Sequence, residues 1–225
     1  MALNLIMLGP PGAGKGTQAE RLARRRGLPK VSTGDILRDA VEAGTDIGRR
    51  VSAVMGRGEL VNDDVVTAIV RERLDQPDAR RGFVLDGFPR TVGQAQALDG
   101  MMGGRDPLVI IHVHVPEGEL VRRLGARLVC ASCGANASGL SPDPAGRCQR
   151  CGGVLVQRAD DEQAVVLERL RVYHRQTEPL IGHYRDRPTF REINGAQTPE
   201  QVAAELAGAV DAAYVIAAAA GGVGR

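Results

Sequence analysis

Apolar positions along the chain follow two rhythms. Leu3-Asn4-Leu5-Ile6-Met7-Leu8 is a short, nearly continuous apolar run, and Lys30 to Ser32, Phe83 to Asp86, Leu108 to Val115 and Phe190 to Ile193 are further runs of that kind. Such runs, short and rich in β-branched residues, predict strands covered on both faces. Between them apolar residues recur every three or four positions, as in Val65-Val66, Ile69-Val70 and Leu74, and again in Val165-Val166, Leu170 and Tyr173. That spacing lines one side of a helix. Another helix follows the Gly-rich residues 9 to 16 and runs to Arg26. Strand and helix in alternation predict an α/β fold, a parallel sheet of five strands with helices on both faces. The last helix opens on Thr198, Pro199 and Gln201: an N-cap, a proline at the first helical position and the partner of a capping box. Its Ala-rich end, Ala217 to Arg225, is expected to fray.

One segment fits neither rhythm. From Cys130 to Gly153 the chain is rich in Gly, Ser, Pro and Cys and has almost no large apolar residue. It cannot build a core of its own, so something else must hold it.

Charge narrows the function classes. The 225 residues carry 29 basic and 27 acidic side chains, a net charge of +2, without the basic excess of a dedicated nucleic-acid-binding domain. Lys15 and Lys30 are the only lysines. For most surface arginines the excess over lysine reads as the codon bias of a GC-rich genome; a few, by position, read as phosphate clamps, because guanidinium grips phosphate oxygens in a two-toothed way. The longest apolar runs fall well short of the ~20 residues that span a bilayer. With no charged start and cleavage site of an export signal at the N-terminus, a cytoplasmic chain without a membrane partner is expected.

Three motifs carry chemistry. Gly9-Pro10-Pro11-Gly12-Ala13-Gly14-Lys15-Gly16-Thr17 lies between the first strand and the first helix, the setting of a phosphate-binding loop. Glycines let successive N–H groups face one anion, the helix N-terminus adds positive potential, and Lys15 reaches the outer phosphates. Gly16 stands where a hydroxyl residue usually follows the lysine. Phe83-Val84-Leu85-Asp86 ends an apolar strand in an acid, the place of a ligand for magnesium-bound water, with Arg90 just beyond. Cys130-x2-Cys133 and Cys148-x2-Cys151 offer four thiolates for a closed, structural Zn²⁺ site. A redox pair and a zinc-ribbon nucleic-acid reader are the competing uses. The second would want basic and aromatic residues, yet Cys130 to Cys151 contains only Arg147 and Arg150 and no aromatic side chain. Arg123, Arg127, Arg158 and Arg169 flank this segment, with Asp160-Asp161 among them, either as solvated ion pairs or as a polyphosphate clamp. His112 and His114 share a strand face and read as satisfied strand histidines. His174 and His183 have no partner evident from sequence.

With the phosphate loop, Asp86-Gly87-Phe88-Pro89-Arg90 and Arg158-Ala159-Asp160-Asp161 in this order, the chain resembles the adenylate kinases, most closely the long bacterial form with a zinc ribbon in its lid. Ser32-Thr33-Gly34-Asp35-x-Leu37-Arg38 and Gln176-Thr177-x-Pro179-Leu180-Ile181 belong to the same resemblance, which runs from Leu3 to about Leu206. It implies a doubly wound phosphate-loop core at 1–31, 62–126 and 162–225, a small helical nucleoside-monophosphate insert at 32–61 and a lid at 127–161. It also implies the reaction, MgATP plus AMP giving two ADP, by a monomer whose partners are these nucleotides. Carried over by motif, Gly12, Ala13, Gly14, Lys15, Gly16 and Thr17 cradle ATP, joined by Arg123, Arg127, Asn136, Ala137 and Gln197. Thr33, Arg38, Glu59, Leu60, Val61, Gly87, Phe88, Pro89, Arg90 and Gln94 hold AMP, and Arg158 and Arg169 bridge the two substrates. Lys15, Arg90, Arg127, Arg158 and Arg169 are the catalytic set. A UMP or CMP kinase is the sister reading, and a zinc-ribbon nucleotide-binding ATPase the distant one. The lid departs from the family pattern, with Ala126-Arg127-Leu128 before the first knuckle and Asn136-Ala137-Ser138 after it.

Overall fold

The computed structural model describes residues 2–137 and 146–221. The strands are β1 (Leu3–Leu8), β2 (Lys30–Ser32), β3 (Gly82–Asp86), β4 (Leu108–His114), β5 (Val129–Cys130), β6 (Leu155–Val156) and β7 (Phe190–Asn194). All five apolar runs are therefore strands, and they lie side by side as β2-β3-β1-β4-β7 with every neighbouring pair parallel. The helices are α1 (Lys15–Arg26), α2 (Thr33–Glu42), α3 (Asp46–Gly56), α4 (Asp63–Leu74), α5 (Val92–Met101), α6 (Glu117–Gly125), α7 (Gln163–Val172), α8 (Pro179–Tyr184) and α9 (Pro199–Gly221).

The alternation of side chains along each strand divides the core in two. Leu3, Leu5 and Met7 of β1 pack with Leu22 of α1, Leu124 of α6, Leu170 of α7 and Leu206 of α9. Ile6 and Leu8 point the other way, to Leu37 of α2, Val70 of α4, Leu98 of α5 and Tyr184 of α8. The chain winds first to one side of β1 and then to the other. Such a reversal opens a crevice at the carboxyl ends of the central strands.

Two excursions leave the sheet. After β2, α2 and α3 pair closely at Gly48, where a Cβ would stand 1.9 Å from the Ala40 carbonyl oxygen. After α6, β5 and β6 form a short antiparallel ladder, Val129 against Val156 and Cys130 against Leu155. Residues 138–145, which include Ser138 of the lid, lie outside the described residues.

Two expectations about α9 need correction. Helix continues through Ala217, which is buried, to Gly221; only residues 222–225 of the expected frayed end lie outside the description. By length and mean hydropathy (1.6), Pro199–Ala219 could also cross a membrane, which a search for unbroken apolar runs overlooks. In this fold Val202, Leu206, Val210, Ala213 and Ala217 form one stripe, and that stripe packs on the sheet. Its start is as expected: Gln201 Oε1 accepts from the Thr198 N–H at 3.1 Å, and Thr198 Oγ1 accepts from the Gln201 N–H at 3.3 Å.

Candidate active site

A cleft of ≈ 1410 Å³ opens at the carboxyl edge of the sheet, between the two excursions. The phosphate loop forms its floor. Gly9, Gly12 and Gly14 all have positive φ, at 139°, 85° and 90°. Space as well as torsion calls for glycine: a Cβ on Gly9 would sit 2.5 Å from the Val113 carbonyl oxygen, and one on Gly12 3.1 Å from that of Leu120. Gly14 precedes α1 with no side-chain cap, so the first N–H groups of the helix face the cleft. Gly16 also has a reason. A Cβ there would be 3.1 Å from Asp86 Oδ2, so the departure from the usual hydroxyl residue makes room for the acid at the end of β3. Lys15 Nζ donates to the carbonyls of Gly9 (2.7 Å) and Pro10 (2.8 Å). Burial pushes its ammonium down to about 8, helped by Arg90, Arg169 and Arg127 and opposed by Asp86.

Six arginines stand over this floor: Arg38, Arg90, Arg123, Arg127, Arg158 and Arg169 all line the cleft. Two of them share a buried acid. Asp161, whose side chain is 0% exposed, accepts from Arg127 Nε at 2.6 Å and from Arg169 Nη1 at 2.9 Å. Asp160 pairs with Arg169 at 3.1 Å. Burial raises the Asp160 carboxyl, but Arg169, Arg38, Arg127 and Arg158 outweigh it and hold the group below the usual carboxylate range. These acids thus position the arginines at the root of the lid. The Arg158 guanidinium makes no hydrogen bond or ion pair with the described residues, and burial, then Arg38 and Arg127, pushes it down to about 10. Burial and the charge of Arg169 do the same to Arg90. The cleft holds uncompensated positive charge in a desolvated place, an environment that favours a polyphosphate.

At the other end, Thr33 Oγ1 donates to the Gly87 carbonyl at 2.8 Å, and Arg90 Nε donates to the same oxygen at 2.8 Å. Thr177 Oγ1 ties the Arg90 carbonyl at 2.8 Å. Gln94, 2% exposed, accepts from the Arg90 N–H through Oε1 and donates to Asp63 through Nε2, both at 2.7 Å. Leu60 and Val61 line the same end, as does Glu59, whose carboxylate is paired with Arg57.

A family model for adenylate kinase matches residues 7–189. The chain belongs to the adenylate kinase family. It is 48% identical over 208 residues to an adenylate kinase of Archaeoglobus fulgidus, covering 91% of this chain and 96% of that one. Against an adenylate kinase of Rhizobium rhizogenes the figures are 48% over 209 residues, 91% and 97%. Against one of Moorella thermoacetica they are 48% over 199 residues, 87% and 92%. It is an enzyme of phosphoryl transfer from ATP to AMP.

In this adenylate kinase most residues expected at the nucleotide sites line one cleft, and two do not. Phe88 is wholly buried in the core next to its cis peptide bond with Pro89, and Ala137 donates its N–H to the Leu128 carbonyl at 2.9 Å, away from the cleft. Asn136 does reach it, donating to Thr17 Oγ1 at 3.4 Å. Gln197 lines the ATP end, its amide held by Glu205 at 2.5 Å. Arg123 Nη1 donates to the nearby Gly195 carbonyl at 2.9 Å.

The four cysteines gather with all Sγ atoms within 4.8 Å of one another. Cys130 and Cys151 are 3.4 Å apart and Cys133 and Cys148 3.7 Å, close to the ~3.8 Å edge of a tetrahedron with the ~2.3 Å bonds of a zinc tetrathiolate. Gly153 keeps the space clear, since a Cβ there would sit 2.9 Å from Cys130 Sγ. Three of the histidines are paired elsewhere, whereas His114, expected to be a satisfied strand histidine, is exposed at the end of β4 with only the ring of His112 beside it among the described residues. His112 Nδ1 lies 2.8 Å from Glu192, its register partner on β7, in keeping with a satisfied strand histidine. His174 lies 2.9 Å from Glu178 and His183 3.2 Å from Asp99.

Sequence reasoning missed three residues of the site: Gly58, Asp63 and Thr177. A Cβ on Gly58 would be 2.8 Å from Arg169 Cγ, so this glycine admits the arginine stem against the helical insert. Its position after α3 gives no such hint. Asp63 gives no local signal either, since its partner Gln94 lies 31 positions away.

Proposed function

We propose that the cleft holds MgATP on the phosphate loop and AMP against Gln94, with the six arginines closing over the phosphates between them. The reading rests above all on one observation: Lys15, the arginines and the Gln94 amide line a single cleft. Gly12 to Thr17 take the ATP phosphates, with Arg123, Arg127, Asn136 and Gln197 on the ATP side. Thr33, Arg38, Glu59, Leu60, Val61, Gly87, Pro89, Arg90 and Gln94 take AMP. Arg158 and Arg169 reach both. The Asp86 carboxylate lines the cleft beside Gly16 and accepts no hydrogen bond from the described residues, which fits a group that holds the water shell of Mg²⁺; that ion supplies charge neutralisation on the ATP phosphates when bound.

Phosphoryl transfer asks for alignment and for positive charge over the moving group. The attacking AMP phosphate oxygen is ionised at pH 7, so no general base is needed. Arg90, Arg127, Arg158 and Arg169 bring the two negatively charged substrates together and stabilise the transferred phosphoryl group. Water must be excluded, or ATP would be hydrolysed. We therefore propose that 127–161 acts as a lid and 32–61 as the acceptor-side clamp on a core of 1–31, 62–126 and 162–225. The lid is held by Zn²⁺ on Cys130, Cys133, Cys148 and Cys151, a role supported by the tetrahedral spacing of the thiols. The enzyme works as a cytoplasmic monomer.

A coupled assay of ADP formation from MgATP, with AMP, UMP, CMP and GMP offered separately, tests the reading. Strong preference for AMP is expected. Preference for UMP or CMP would overturn the acceptor assignment and leave the phosphate clamp in place.

A further inference from the structure

We propose that Asp63, at the start of α4, determines whether the acceptor site takes a 6-amino or a 6-oxo purine. The inference rests on Gln94 as the residue that meets the base. A carboxamide has nearly the same shape when turned over by half a turn, but its hydrogen-bonding ends change places. At Gln94 two neighbours oppose that turn. The Arg90 backbone N–H donates to Oε1 at 2.7 Å, and Asp63 Oδ1 accepts from Nε2 at 2.7 Å. Turned over, the amide would set donor against donor at Arg90 and acceptor against acceptor at Asp63, and both pairs are buried enough for the mismatch to be costly.

Asp63 is itself held. Its other oxygen accepts from Thr91 Oγ1 at 2.5 Å, and that hydroxyl accepts in turn from the Gln94 N–H at 3.1 Å, capping α5. Gly93 keeps the approach open, since a Cβ there would sit 3.3 Å from Asp63 Oδ2. The acid therefore joins the start of one helix to the start of the next and grips the side chain between them.

With those bonds made, Gln94 keeps one N–H and one lone pair for a ligand. Adenine presents a donor at N6 beside an acceptor at N1, which suits the observed amide: oxygen toward N6, nitrogen toward N1. Guanine presents the reverse, an acceptor at O6 beside a donor at N1, and suits the turned amide. Holding the amide one way therefore selects the base. Of the two groups that hold it, Arg90 contributes backbone, so Asp63 is the side chain that carries the selection. It is a positioning residue and acts through Gln94.

The test is kcat/KM for AMP and for GMP at saturating MgATP in the intact enzyme, Asp63→Asn, Asp63→Ala and Gln94→Ala, with KM for MgATP as the control for folding. The carboxamide introduced by Asp63→Asn matches the carboxylate in size but can present either of its ends to Gln94. Both Asp63 variants should lower the AMP-to-GMP ratio by about tenfold, the discrimination that one hydrogen bond of ~1.4 kcal/mol supplies, with KM for MgATP unchanged. A merely structural Asp63 would weaken AMP and GMP alike and leave the ratio where it was. An unchanged ratio in both Asp63 variants, beside a changed one in Gln94→Ala, overturns the inference alone. An unchanged ratio in Gln94→Ala removes the base-reading role and this inference with it.

Discussion

The α2–α3 pair and the β5–β6 segment both stand outside the sheet and border the same cleft, yet they are held by different forces. Leu37 and Val51 of the helical pair are buried in the core cluster with Leu85 and Phe88, and Gly48 lets the two helices touch backbone to backbone. In the described part of 127–161, Val129 is the one large aliphatic side chain that is buried, while Leu128, Val154 and Val156 are exposed. The cysteine cluster and the Asp161 ion pairs take the place of a core. A part held by apolar packing is as stable as the domain it packs on. A part held by four thiolates and a buried acid at its root can move as a unit without disturbing that domain, which suits a lid.

The largest separation of the two regions should follow from loss of the thiolate site. Structural zinc supplies on the order of 10 kcal/mol of local folding energy in small zinc modules, so Cys148→Ser should release the metal and unfold the lid. Bound zinc measured by mass spectrometry should fall from one ion per chain to none. Turnover should drop on the order of 100-fold as the lid arginines lose their placement, while far-UV helicity stays near its starting value. Full turnover in a zinc-free variant would end the comparison. The converse change is Leu37→Ala, which should cost about 3 kcal/mol and lower Tm by roughly 6–12 °C. Zinc content should not move. A loss of zinc in that variant would mean the two excursions are one cooperative unit.

Acid should divide them more gently. Thiolates must be deprotonated to bind metal, so zinc release is expected as pH falls from about 7 toward about 4. On the helical side, burial raises the Asp35 carboxyl, but its hydrogen bond and charge contact with Arg38, with help from Lys30, outweigh this and hold it at about 2. A carboxyl lowered on folding contributes stability in full above its ordinary value of 3.8, losing it only as pH falls through about 2. Hydrogen exchange across a pH series should show the α2 amides still protected at about pH 4, after the metal has gone. Simultaneous loss would contradict the assignment of separate forces.

Much of this was open to reading along the chain. Strand periodicity is local, so β1, β2, β3, β4 and β7 were visible within a residue or two at their ends. The phosphate loop and the paired cysteine knuckles are contiguous or nearly so, and their spacing alone states their chemistry. The capping box at Thr198 and Gln201 spans a single turn. Each of these is decided by neighbours in sequence.

What only the tertiary structure decided are the pairings between distant residues. Asp161 meets Arg127 from 34 positions away, and Asp63 meets Gln94 from 31. Nothing in the run Arg158 to Asp161 chooses between solvated ion pairs and a buried clamp; the packing of α7 against the lid root makes that choice. Phe88 sits inside a motif of cleft residues and yet belongs to the core, because the backbone turns there and only the surrounding helices decide which side is covered. The hydrophobic pattern specifies which faces must be hidden. Which polar groups then meet in the hidden places depends on how the whole chain closes.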